Sequence, residues 1–117
     1  MIDYSKPTAQ MLGRWQPFHD GHLELFKKIL EKTGQVCIMV RSMPKSDSNP
    51  YEFSEIKRRI EEKLKDYIGK FEIINVPNIT NICYGREVGY KIEEIVLPKH
   101  IQKISATKIR KEIKNEL

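Results

Sequence analysis

Short apolar runs and stretches of helical periodicity take turns along this chain, and that alternation leaves few folds open. Ala9–Gly13 is a short, mostly apolar run that reads as a buried strand. From His22 to Lys32, residues Leu23, Leu25, Phe26, Ile29 and Leu30 give helical spacing with a wide apolar face. Gln35–Val40 (QVCIMV) is rich in β-branched residues and short enough for a central strand. The polar stretch Arg41–Asn49 contains Pro44 and reads as a loop. Behind Ser54, a candidate N-cap, Ile56, Ile60, Leu64 and Ile68 form an i+4 stripe. Phe71–Val76 reads as a third strand closed by Pro77, Asn78–Tyr84 fits no single element, and Tyr90–Leu97 reads as a short helix running into a fourth strand. Ser105 caps a last helix, with Ile104 and Ile109 at the two positions of a hydrophobic staple. Such alternation predicts an α/β fold, a Rossmann-like parallel sheet with helices on both faces. Ligands of such sheets bind outside the carboxyl ends of the strands.

Length and charge narrow the function. With 117 residues the chain is expected to form a single domain, 1–117, around one core. It has no repeat and no biased tract, which argues against disorder. No run of about 18 apolar residues and no signal-peptide order occur, so the expectation is a cytoplasmic protein without a membrane partner. Cys37 and Cys83 are far apart among apolar neighbours, which suits buried free thiols better than a redox or metal pair. The net charge of +5 calls for an anionic partner. A nucleic acid is disfavoured, because no basic tract is interleaved with aromatics for base stacking.

Within GRWQPFHDGH, residues 13–22, the first strand crosses into the first helix. His19 and His22 therefore lie at a strand's carboxyl end and a helix's amino end, where unpaired N–H groups and the helix dipole favour phosphate. A spacing of three keeps the two imidazoles on one face, and Gly21 lets an anion approach the backbone. A histidine in such a place is more often a surface residue or a cap. A metal pair is a weaker reading, since HxxH lacks the glutamate of HExxH and has no third ligand nearby. Near the other end of the chain, ISATKIR offers Ser105 and Thr107 hydroxyls, first-turn amides, and Arg110 on the same face as Thr107.

PFHDGH resembles the HxGH signature of the nucleotidyltransferase superfamily related to class I aminoacyl-tRNA synthetases, and ISATKIR resembles its ISxTxxR/K signature. The ordered pair spans almost the whole chain and implies the HIGH-type nucleotidyltransferase fold. The resemblance implies direct attack of an acceptor phosphate on the α-phosphorus of a nucleoside triphosphate, with pyrophosphate leaving and no protein nucleophile. It implies catalytic roles for His19, His22 and Arg110, and nucleotide binding by Gly13, Arg14, Trp15, Gln16, Phe18, Gly21, Ser105 and Thr107. Lys45, in the loop at a strand's carboxyl end, reads either as a catalytic lysine over the α-phosphate or as one more solvated lysine. Acceptor contacts are expected from Arg58 or Arg59, Tyr84 and Arg86, although Lys57, Arg58 and Arg59 also read as a solvated helix face and Tyr84 as core. Mg²⁺ would enter with the triphosphate and keep most of its water.

Two donors compete. GRWQPFH resembles the GRFQPxH loop common in adenylyltransferases that make dinucleotide cofactors. The tail ISATKIRKEI and the stretch NPYEFSEIKRRIEE resemble glycerol-phosphate cytidylyltransferases. The expectation is a small CTP-dependent cytidylyltransferase that acts on a phosphate or phosphonate acceptor for capsule or surface polysaccharide. ATP-dependent adenylyl transfer to a mononucleotide is the alternative, and a non-catalytic nucleotide- or RNA-binding module a third reading. A homodimer is compatible with the Ile56–Ile68 stripe.

Overall fold

Three parallel strands lie in the order β1-β2-β3 in the computed structural model, which describes residues 1–87 and 89–116, with side chains described as far as Ile113. They are β1 (Ala9–Gly13), β2 (Val36–Arg41) and β3 (Phe71–Val76). Between them run helices α1 (Asp20–Thr33) and α2 (Phe53–Lys63), the second followed by a 3-10 turn, Lys65–Tyr67. Ala9 pairs with Val36 and Val36 with Phe71, while Gly13 pairs with Val40 and Val40 with Asn75. The strands thus begin and end together. Their carboxyl ends form one edge from which the crossing loop 14–19 and the loop 42–52 both depart.

Alternation along β2 decides which face is covered. Val36, Ile38 and Val40 are almost wholly buried, whereas Cys37 and Met39 between them are half-buried. Phe26 and Ile29 of α1, Ile56 and Ile60 of α2, and Leu64 just beyond it join the buried β2 residues in one cluster. Each such side chain contributes roughly 1.5–3 kcal/mol on burial. Both long helices therefore share one core with the same residues of β2. The α/β class and parallel sheet expected from the sequence are observed.

Four local expectations are corrected. Glu52, not Ser54, is the N-cap of α2, and its side chain makes no capping bond. Ile68 is 80 % exposed, because the chain leaves the helix axis at the 3-10 turn after Leu64. Among the described residues no fourth strand forms over 90–97: Glu93 is held out on Lys32 at 3.2 Å, and of this segment Ile95 packs against the core. Cys83 is exposed rather than buried, in a segment that carries no regular structure.

After this segment come two further helices, α3 (Lys99–Gln102) and α4 (Ala106–Glu116). The Ser105 hydroxyl accepts the Lys108 N–H at 3.4 Å, so the expected cap at this helix start is present. No helix among the described residues is long and apolar enough to cross a membrane.

Candidate active site

The crossing loop is built on a close approach. A Cβ on Gly13 would lie 2.7 Å from the Trp15 indole, so only glycine lets that ring fold back over the strand end. Trp15 has φ of 54°, in the left-handed region that non-glycine residues rarely enter. It is held there by its indole N–H, which donates to the Met39 carbonyl at 3.0 Å. Phe18 packs edge-on against it, with centroids 5.5 Å apart, and both rings are buried in the core cluster. The nucleotide-facing surface expected of these two aromatics is thus given to packing.

That packing walls in His22. Its ring meets Trp15 edge-on at 4.7 Å, lies 5.4 Å from Phe18, and stacks on His19 with centroids 3.6 Å apart at 19°. The two imidazoles also cap α1 reciprocally. His19 Nδ1 accepts the Gly21 N–H at 3.1 Å, and His22 Nδ1 accepts the His19 N–H at 3.1 Å. A capping box ordinarily uses a hydroxyl and a carboxylate or amide. Here two histidines perform it, and the cap reading and the catalytic reading fall on different nitrogens. An accepting Nδ1 carries no proton, so each neutral ring keeps its hydrogen on Nε2 as a free donor.

Burial, reinforced by the neighbouring His19, lowers the His22 pKa to about 3, and burial also lowers that of His19. Both rings are neutral donors at neutral pH. Gly21 has a different use from the one expected: a Cβ there would stand 2.9 Å from His19 Cε1, so the space is taken by the imidazole. Asp20, between the histidines, is anchored on Lys63 at 2.6 Å, and that contact lowers its pKa.

Gln16 is buried, and its side-chain amide pairs with the main chain of Tyr51. Nε2 donates to the Tyr51 carbonyl at 3.0 Å and Oε1 accepts the Tyr51 N–H at 3.0 Å. Arg14 donates to Asn49 Oδ1 at 3.3 Å, and Asn49 in turn donates to the Ser46 hydroxyl at 3.2 Å. The loop bearing Lys45 is thereby fastened to the crossing loop, with Lys45 itself exposed.

The tail reaches the same place. Arg110 donates through Nη1 to the Gln16 carbonyl and through Nη2 to the Thr107 hydroxyl at 3.3 Å. The Ile101 carbonyl lies 3.6 Å from the position a Gly21 Cβ would take, which sets α3 against the first turn of α1. Histidines, loop 42–52 and the Ser105–Arg110 tail are brought together at the carboxyl edge of the sheet.

The expected acceptor residues are not. Arg58 is engaged on the α2 surface with Glu55 at 2.8 Å and Glu62 at 3.3 Å. Tyr84 is 53 % exposed, not core, and lines a groove of about 970 Å³ with Thr8, Gln10 and Thr33, at the start of β1. That is the opposite end of the strand from His19. Arg86 is exposed in the same segment. Arg59 lies with its guanidinium 4.4 Å over the Tyr51 ring, and sequence reasoning missed Asn49 and Tyr51. The signal available was Asn49-Pro50-Tyr51, a turn-forming triplet that closes a polar loop just ahead of a helix.

Residues 11–75, from β1 to the end of β3, match the family model described as cytidylyltransferase-like. The chain belongs to that family. Its curated relatives include the nicotinamide-nucleotide adenylyltransferases of Methanococcus aeolicus, 37 % identical over 73 residues (61 % of this chain, 42 % of the relative), and of Ignicoccus hospitalis, 40 % identical over 73 residues (57 % and 42 %). That of Saccharolobus solfataricus is 30 % identical over 111 residues, 69 % of this chain and 64 % of the relative. The chain thus spans about two fifths of the length of the first of these relatives. Their names overturn the expectation of a CTP-dependent enzyme of capsule polysaccharide synthesis: adenylyl transfer to a nicotinamide nucleotide is the activity they state. The adenylyltransferase-like loop GRWQPFH, not the tail, carried the relevant signal.

Proposed function

We propose that residues 1–117 act as one nucleotidyltransferase domain that moves the adenylyl group of ATP onto the phosphate of a mononucleotide, nicotinamide mononucleotide being the acceptor the relatives suggest. The observation that carries this reading is the Arg110 contact to Gln16, which sets the tail's cationic fork beside the loop that ends in His19 and His22.

An acceptor phosphate oxygen attacks the α-phosphorus in line. A bond forms between that oxygen and the α-phosphorus, the α–β bridging bond breaks, and the bridging oxygen leaves with pyrophosphate. The protein's part is positioning and charge stabilisation. The Nε2 hydrogens of His19 and His22 donate to triphosphate oxygens as negative charge gathers on them. Ser105, Thr107 and Arg110 hold the β- and γ-phosphates, and Lys45 reaches the α-phosphate from its loop. Gly13, Arg14 and Gln16 shape the floor beneath the nucleotide.

Among the described residues no three His, Cys, Asp or Glu side chains gather into a metal cage. A Mg²⁺ ion brought in by the triphosphate and held by phosphate oxygens and water would neutralise charge on the leaving group. A cytoplasmic location, where ATP is supplied, goes with this reading.

The test is phosphorus NMR of the protein with ATP and nicotinamide mononucleotide. The expected result is a new pyrophosphate diester together with free pyrophosphate. Failure to consume ATP with any mononucleotide, or faster turnover of another triphosphate, overturns the proposal.

A further inference from the structure

We infer that Gln16 is a positioning residue that locks three separated segments into one phosphate-gripping arrangement, an inference that rests on the nucleotidyl-transfer reading above. Its side chain is spent on protein, not on ligand. The amide oxygen and one amide hydrogen pair with the N–H and carbonyl of Tyr51, each at 3.0 Å, as one peptide unit pairs with another in a sheet. Its own carbonyl receives the Arg110 guanidinium, 94 residues away. Residue 16 therefore touches the loop that carries Lys45 and the helix that carries Thr107 and Arg110. His19 and His22 follow it by three and six residues, as the N-cap and in the first turn of α1.

The supports of this clamp are themselves fixed. Arg59 lies over the Tyr51 ring, and Arg14 holds Asn49 two residues before Tyr51. Gln16 is 5 % exposed and Tyr51 half-buried, so the two amide bonds are shielded from water on the Gln16 side, and losing one leaves a polar group of this buried residue or its partner unsatisfied. Transfer of a phosphoryl-type group depends on placement, and a shift of about 1 Å costs roughly a hundredfold in rate. A side chain that ties the histidine-bearing loop to the Lys45 loop, on a residue whose main-chain carbonyl receives Arg110, thus acts on the reaction without touching it.

Gln16→Glu gives a readout that a merely stabilising role does not move. An ionised carboxylate accepts the Tyr51 N–H but presents no hydrogen to the Tyr51 carbonyl. A protonated carboxyl has one donor and one acceptor and restores both bonds. Relative to wild type at the same pH, kcat/KM of Gln16→Glu is expected to be down about thirtyfold at pH 8 and to recover to within about fivefold at pH 5. Gln16→Ala is expected to stay low with a flat ratio.

Two measurements are independent of turnover. In Gln16→Ala the Tyr51 amide should exchange with deuterium at least about tenfold faster, and inorganic tripolyphosphate should bind about tenfold more weakly by calorimetry. If wild-type protein consumes no ATP, the functional reading fails, while exchange and tripolyphosphate affinity still decide the role of Gln16. Wild-type exchange at Tyr51, unchanged tripolyphosphate affinity, or a pH-independent activity ratio in Gln16→Glu overturns the inference.

Discussion

Arg110 donates a hydrogen bond to the main-chain carbonyl of Gln16, joining residues 94 positions apart. The contact carries the ISATKIR tail onto the loop that leads to the histidines. Arg110→Ala removes this tether and, under the proposed function, a phosphate ligand with it, and should lower kcat/KM for pyrophosphate release by about 100- to 1,000-fold. Arg110→Lys, which keeps the charge but not the planar fork, should fall between it and wild type. Equal activity of all three in a continuous pyrophosphate assay rules out a role for this side chain.

Capping and chemistry at His19 are separable by substitution. Asparagine is a good N-cap, so His19→Asn should keep thermal stability within about 1 kcal/mol of wild type. It lacks the Nε2 donor, and turnover should fall about a hundredfold. Parallel loss of stability and activity would mean that the imidazole serves as a cap alone.

Gly21→Ala tests the close approach beside it. Alanine favours a helix over glycine by roughly 0.5–1 kcal/mol. Here the added Cβ would meet His19 Cε1 at 2.9 Å and push the ring aside. Activity is expected to drop at least about tenfold while the melting temperature changes little, a split that calorimetry and the same assay read together.

The depressed His22 pKa makes stability depend on pH. In the folded protein the group titrates at about 3, against 6.5 for the unperturbed side chain, so the unfolded chain binds the extra proton between those values. Its contribution is complete above pH 6.5 and is lost as pH falls towards about 3. At pH 5 the loss from this residue alone is about 2 kcal/mol. Urea unfolding at pH 7 and pH 5 should show the drop, and His22→Asn should remove most of it.

Ile60 is wholly buried between α2 and the sheet. Ile60→Ala should cost about 2–5 kcal/mol in urea unfolding, with the spread set by how far the core closes over the space.

Much of the scaffold was legible because its signals are local. Ala9–Gly13 and Phe71–Val76 are short apolar runs bounded by polar residues or proline, and both strands occur over those residues. The start of α1 was less clear, since a capping box made of two histidines does not look like one made of serine and glutamate. YKIEEIVL, read as a short helix running into a strand, pairs with no strand among the described residues, and pairing is a property of the whole sheet. The histidine pair and the tail stood out as motifs. The clamp from Gln16 to Tyr51 and the hold of Arg14 on Asn49 join positions 35 residues apart, a distance no periodicity reports.

Because the imidazoles that would grip the nucleotide are also the knots that close the first turn of α1, the proposed activity has no reserve between fraying and inactivation. Warming that loosens only this turn would silence the protein well before its core melts, so loss of turnover would serve as a thermometer for a single helical end.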